Sequence, residues 1–280
     1  MGADSSIISP YPAPGKQTRK GRCNMKTALV TGASSGIGRE LALRLDSLGF
    51  RVILCARRAD RLNDLAKEFK NEAIVITADL SDRDECRRLY EETKDMNVSV
   101  LVNNAGFGAI GSFEDTDLDR ELQMIDLNCA AVHILTKLFL RDFLDRNRGY
   151  ILNVASSAGL MPGGPLMASY YATKAYVVSL TRSISEELRA KDTRVSISAL
   201  CPGPVKTEFN DVAGCDFAVE GISPEECAEA ALKGLFARKT VIVPGSQMKA
   251  GVLGSRLAPS RVVLKTAMKL QSAKLKNGDE

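Results

Sequence analysis

Short apolar runs recur along the chain, separated by longer stretches of mixed polarity. The runs are Thr27–Thr31, Val52–Ala56, Ile74–Thr77, Val100–Asn103, Tyr150–Val154, Val195–Leu200 and Thr240–Val243, four to six residues each and rich in valine, isoleucine and leucine. Runs this short that stay apolar throughout predict strands buried on both faces. The stretches between them, Gly38–Leu48, Arg61–Lys70, Arg83–Met96, Arg120–Arg146, Tyr170–Ala190 and Pro224–Ala237, have the length and mixed polarity of helices. Strand and helix in alternation predict right-handed βαβ units. The expected fold is therefore a single α/β domain, a doubly wound parallel sheet of about seven strands with helices on both faces.

Composition agrees with one large core. The chain has 280 residues, 45% hydrophobic and 26% charged, with no apolar stretch near the ~20 residues that span a bilayer. A net charge of +4 gives little reason to expect a nucleic-acid partner. The seven cysteines are scattered without a CxxC pair, which reads as reduced thiols in a cytoplasmic protein. The one histidine, His133, falls in an apolar helical run, so no metal site is expected.

Two segments carry chemistry. Thr31-Gly32-Ala33-Ser34-Ser35-Gly36-Ile37-Gly38 follows the first strand and opens a helix. That arrangement turns backbone N–H groups and a helix N-terminus towards a dinucleotide's pyrophosphate. Further on, Tyr170 and Lys174 in Tyr-Tyr-Ala-Thr-Lys stand four residues apart, on one helix face. A lysine ammonium beside a phenol favours the phenolate, which makes tyrosine an acid or base near neutral pH. Tyr171 lacks this spacing and reads as a packing residue.

The set TGxxxGxG, Asn103-Asn104-Ala105-Gly106, Asn128, Ser156, YxxxK and Pro202-Gly203-Pro204-Val205-Lys206-Thr207, in that order, resembles the short-chain dehydrogenase/reductase family in its compact, Rossmann-type single-domain form. The resemblance covers about residues 26 to 245 and implies an oxidoreductase that moves hydride between nicotinamide and a carbonyl or secondary alcohol. It implies Asn128, Ser156, Tyr170 and Lys174 as the catalytic set. Two counts compete for the serine: the family's usual interval of thirteen residues before Tyr170 selects Ser157, whereas the frame Asn153-x-x-Ser156-x-x-Gly159 selects Ser156, which is preferred. For the cofactor the resemblance points to Gly32, Ser34, Ser35, Gly36, Ile37, Gly38, Asp79, Leu80, Asn104, Gly106, Val205 and Thr207, with Tyr170 and Lys174 shared between chemistry and binding. The second strand ends in Arg57-Arg58, where an acid would accept a ribose hydroxyl and an arginine accommodates a 2′-phosphate. NADP(H) is therefore expected in preference to NAD(H).

The substrate is less defined. Apolar residues of the 159–167 loop, and Phe209, Val212, Ala213 and Phe217 in the 208–221 segment where the family carries a lid, point to a lipophilic carbonyl compound. Reduction of a 3-oxoacyl thioester is the alternative, and a non-catalytic dinucleotide-binding regulator is the competing class. Residues 1–24 are expected to form a disordered basic, proline-rich arm, 25–245 the catalytic domain, and 246–280 a basic helical extension with seven basic and two acidic residues. In that extension Arg261, Lys265 and Lys269 run beside Val262, Val263, Leu264, Ala267 and Leu270. Such a helix is expected to cover an apolar patch of its own subunit or a neighbour, and an anionic membrane surface is the lesser expectation. The resemblance also implies a homodimer or homotetramer.

Overall fold

Strand β1 (Thr27–Thr31) is buried along its whole length, and the sheet grows outward from it. The computed structural model describes residues 26–208 and 221–275. In it β1 pairs with β2 (Arg51–Ala56) on one side and β4 (Val98–Asn103) on the other. β3 (Ala73–Thr77) lies outside β2. Beyond β4 come β5 (Gly149–Val154), β6 (Val195–Leu200) and β7 (Val241–Ile242), so the order is β3-β2-β1-β4-β5-β6-β7 with every pair parallel. The chain winds one way through β1 to β3 and the other way from β4, which places a crevice at the carboxyl ends of β1 and β4.

Period-two alternation divides the strand residues between two faces, and each face has its own helices. Leu29, Ile53, Leu101, Ile151 and Ile197 share one cluster with Leu89 of α3 (Arg83–Thr93) and Leu135, Phe139 and Phe143 of α5 (Val132–Asp145). Ala28, Val30, Val52, Leu54, Val100, Val102 and Leu152 share the other with Leu41 and Leu45 of α1 (Gly36–Ser47) and Leu232 and Leu235 of α7 (Pro224–Phe236). Each such large side chain taken fully out of water contributes ~1.5–3 kcal/mol.

Three elements differ from expectation, each for a local reason. Helix α2 (Ala59–Ala66) stops short of Lys70, because the backbone N–H groups of Lys70 and Asn71 donate to the buried carboxylate of Asp46 at 3.0 and 2.8 Å. The helix expected over 120–146 runs through but widens in its middle. α4 (Leu118–Ile125) is capped by Asp117, a wide π-helical turn fills Asp126–Ala131, and α5 follows. The extension past residue 245 is two helices, α8 (Ser246–Leu257) and α9 (Ser260–Leu275). Ala258 between them is extended, as a residue before proline tends to be. The arm expected at 1–24 lies outside the described residues, as do Phe209, Val212, Ala213 and Phe217. Among the described residues no helix is long and apolar enough to cross a membrane.

A buried polar knot ties the middle of the sheet to two helices. Asn103, at the end of β4, donates to Asn153 Oδ1 at 2.9 Å and to Thr136 Oγ1 of α5 at 3.1 Å. Asn153, on β5, donates in turn to Thr181 Oγ1 of α6 (Ala168–Ala190) at 3.0 Å. All four residues are at most 2% exposed, so each lost partner leaves a dry polar group that costs ~1–3 kcal/mol. Asn153→Ala is expected to lower stability by roughly 2–3 kcal/mol, read from urea unfolding followed by circular dichroism. A loss below ~0.5 kcal/mol would show that the knot is not holding these elements together.

Candidate active site

The carboxyl ends of the strands open onto one cavity of about 830 Å³. Gly32, Ser34, Ser35, Gly36 and Ile37 line it after β1, Arg57 and Arg58 after β2, and Asp79 and Leu80 after β3. Asn104 and Gly106 line it after β4, Ser156 and Ser157 after β5, Val205 and Thr207 after β6, and Tyr170 and Lys174 from α6. Of the residues selected from sequence, Gly38 and Asn128 stand behind this wall.

The glycine turn is built by close approach. Gly32 has φ +64°, and a side chain there would meet the Cα of Ala105 at 2.8 Å. Gly38 packs so tightly on the turn that a Cβ would lie 2.3 Å from the carbonyl oxygen of Gly32. The Asn104 amide donates to the carbonyls of Thr31 and Gly32 at 3.0 and 3.1 Å, and Thr31 Oγ1 accepts from the N–H groups of Asn104 and Ala105. Helix α1 starts at Gly36 with no side-chain cap on its N-terminus and no acid in its first turn. Free N–H groups without a competing carboxylate suit a pyrophosphate.

Basic charge gathers at the end of β2. Arg58 donates to Ser34 Oγ at 3.2 Å and Ser35 Oγ at 3.4 Å, so it is joined to the glycine turn. Arg57 instead pairs with Asp79 across 3.9 Å. Asp79 also accepts from the hydroxyl and N–H of Ser81, which holds it at the cavity edge. A glycine turn that leaves its N–H groups uncapped, with an arginine beside it, is the donor set that a dinucleotide needs.

At the other end of the cavity stands the tyrosine–lysine pair. Lys174 is 5% exposed, and its ammonium donates to the carbonyl of Val154, the last residue of β5, at 3.0 Å. It lies 5.8 Å from the centre of the Tyr170 ring. Burial pulls its pKa from 10.5 down to about 8. Two glycines permit this placement. A Cβ at Gly106 would sit 2.8 Å from Asn128 Oδ1 and 3.4 Å from Lys174 Nζ, and one at Gly159 would sit 2.4 Å from the Lys174 carbonyl oxygen.

Asn128 braces the pair from behind. It lies in the π-helical turn, 1% exposed, where its amide accepts from the N–H of Phe107 at 3.1 Å and donates to that residue's carbonyl at 2.9 Å. It also donates to Thr173 Oγ1 at 3.1 Å, and that hydroxyl donates to the Tyr170 carbonyl at 2.8 Å. A π-turn adds a residue to the helix and re-aims its neighbours, which is why such turns gather at working sites.

Ser156 caps a short 3₁₀ turn, its hydroxyl accepting from the N–H of Ala158 at 3.1 Å, while the Ser157 N–H donates to the Pro202 carbonyl. The close fit of Gly159 on Lys174 ties the Asn153–Ser156–Gly159 frame to the pair. Tyr171 meets Tyr170 edge-on and accepts a hydrogen bond from Gln271 Nε2 at 3.1 Å.

Sequence reading missed two groups of residues. Arg61 and Glu208 form a 2.6 Å ion pair beside Arg58. The roof of the cavity comes from α8 and α9, through Met248, Val262, Val263, Ala267 and Leu270. The extension thus lines its own subunit's cavity, yet Val262 and Leu270 stay more than half exposed, as Arg261, Lys265 and Lys269 are. The amphipathic spacing was visible in the sequence, but the surface it covers was not.

The lowered lysine pKa has a sign in stability. Between about 8 and 10.5 the unfolded chain holds the lysine proton and the folded chain releases it, so this group's cost falls as pH rises through that window. Below it the cost is about 3 kcal/mol. Lys174→Met is expected to be more stable than wild type at pH 7 by roughly 2 kcal/mol, after allowing about 1 for the lost hydrogen bond, with the gap closing above pH 10. Urea unfolding at several pH values reads this, and a variant less stable than wild type at pH 7 would contradict it.

Comparison with known proteins agrees with this architecture. Residues 26–215 match the family model for short chain dehydrogenase. A 3-oxoacyl-[acyl-carrier-protein] reductase of Rickettsia prowazekii is 32% identical over 189 residues, 66% of this chain and 75% of that one. A short-chain dehydrogenase from Sphingobium yanoikuyae in complex with NADPH superposes with a TM-score of 0.75 at 30% identity, over 83% of this chain and 94% of that one. A Burkholderia phymatum short-chain dehydrogenase/reductase in complex with NAD gives 0.75 at 26% identity, over 82% and 92%. A nicotinamide dinucleotide is thus the cofactor class of the fold, and the chain belongs to the short-chain dehydrogenase/reductase family of oxidoreductases acting on carbonyl and alcohol groups.

Proposed function

We propose that the protein is an NADP(H)-dependent reductase or dehydrogenase of a lipophilic carbonyl or secondary alcohol, with Tyr170 as its acid/base. The observation that carries this reading is the buried Lys174 ammonium, one helical turn from Tyr170 in the wall of the cavity. A charge placed there at a cost to stability serves the neighbouring phenol, because it favours the phenolate form. A regulator that only bound the dinucleotide would have no use for the pair.

The bound nicotinamide supplies or accepts the hydride. Tyr170 gives a proton to the substrate oxygen in reduction and takes one in oxidation. Ser156 polarises the carbonyl through its hydroxyl, Ser157 being the fallback, and Asn128 fixes the wall on which Tyr170 and Lys174 stand. The glycine turn takes the pyrophosphate, Asp79 and Leu80 border the adenine, and Val205 and Thr207 border the nicotinamide. Arg58, joined to Ser34 and Ser35, is placed to read a 2′-phosphate, and this supports NADP(H) over NAD(H).

The apolar lining supports a lipophilic substrate, since Val262, Val263, Ala267 and Leu270 of α9 border the cavity. A 3-oxoacyl thioester is the second reading. It is favoured by the exposed Arg261, Lys265 and Lys269 on the same helix, which offer a carrier phosphate a basic surface beside the cavity. Exposed Leu118, Leu122 and Ile125 on α4 support a homo-oligomer.

Oxidation of NADPH by purified protein across bulky ketones, aldehydes and 3-oxoacyl thioesters tests the proposal, with Tyr170→Phe as control. Turnover is expected to fall at least about 100-fold in Tyr170→Phe while cofactor affinity stays within about twofold. Undiminished turnover in the variant would sink the assignment. The better substrate class in the panel decides between ketone and thioester.

A further inference from the structure

The basic cluster at the end of β2 already holds an anion of the chain's own. Arg61, on α2, donates from Nη1 to Glu208 Oε1 at 2.6 Å and Oε2 at 2.8 Å. Arg58 donates to the same Oε2 at 3.3 and 3.4 Å while its Nη2 also reaches Ser34 and Ser35. Glu208 lines the cavity with Ser34, Ser35 and Arg58. The hydrogen bond from Arg61, seconded by Arg58, holds its carboxyl below the usual carboxylate range, so it is ionised at neutral pH. Arg57 does not share in this arrangement, because its partner is Asp79.

A guanidinium fork satisfies a carboxylate and a phosphate with the same N–H groups. The group proposed to bind there is a phosphate monoester, which carries −1.5 to −2 charges at neutral pH. It would meet Arg58 within hydrogen-bond reach of a carboxylate that repels it. We propose that Glu208 is a specificity-determining residue that competes with the cofactor's 2′-phosphate for Arg58 and Arg61. It thereby holds the preference for NADP(H) over NAD(H) below what the arginines alone would give. Glu208 has the position for this through its neighbour, since Thr207 packs against the glycine turn close enough that a Cβ at Gly36 would lie 3.0 Å from it.

This inference rests on the reading of Arg58 as a phosphate site, and one experiment separates the two. Adenosine 2′,5′-bisphosphate and adenosine 5′-monophosphate are titrated calorimetrically into the wild-type protein and Glu208→Gln at one fixed ionic strength. Glu208 is half-exposed and its replacement keeps the side chain's size, so the fold is expected to be unaffected, which an unchanged Tm verifies. Competition predicts that the bisphosphate binds Glu208→Gln about tenfold more tightly than wild type, while the monophosphate changes less than twofold. A wild-type preference for the bisphosphate that is unchanged or weaker in Glu208→Gln overturns the competition and leaves the phosphate site standing. Equal affinity for the two nucleotides in both proteins overturns the phosphate site, and the competition with it.

Discussion

The structure turns on one unfavourable placement, the ammonium of Lys174 taken out of water. A charge so buried survives only when its surroundings are built to hold it. Here β5 offers the Val154 carbonyl, Gly106 leaves room for Nζ, and Gly159 lets the turn after β5 lie directly on the backbone of α6. Asn128 and Thr173 then fix the same turn of helix that carries Tyr170. The hydrophobic sheet supplies the free energy that tolerates this cost, and the Asn103–Asn153–Thr181 knot transmits its rigidity to α6.

The same logic divides the cavity into two ends. At the glycine turn charge is cheap, because Ser34, Ser35, Arg58 and Glu208 are open to water and exchange one partner for another with little loss. At Tyr170 and Lys174 charge is dear, and geometry is held by buried bonds. The glycine-turn end is thereby free to exchange partners, while the Tyr170–Lys174 end is fixed by buried bonds. Met248 of α8 and Val262, Val263, Ala267 and Leu270 of α9 add an apolar lining to the same cavity.

Much of this was legible in the chain. The strands were readable because the central ones are buried on both faces and so are rich in apolar residues, and β7 alone came out shorter than its run. Tyr170 and Lys174 were readable because the acid–base pair proposed for them needs a fixed helical spacing. The π-turn that carries Asn128 was not, since a helix with one extra residue leaves no mark in a 3.6-residue period. Nor was the early end of α2, which answers to Asp46, a residue distant in sequence. Arg61 and Glu208 were missed for the same reason: they are separated by 147 positions, and only the fold brings them together. Ser156 and Ser157 both line the cavity, so packing leaves the two counts for the serine side by side.

The most direct measurement is the titration of Lys174 itself, followed by NMR in protein labelled with ¹³C at lysine Cε, its resonance identified by its absence in Lys174→Met. A midpoint near pH 8 is the expected result, set apart from the exposed lysines. A midpoint near 10.5 would place the ammonium in water and contradict the buried charge on which the site is built.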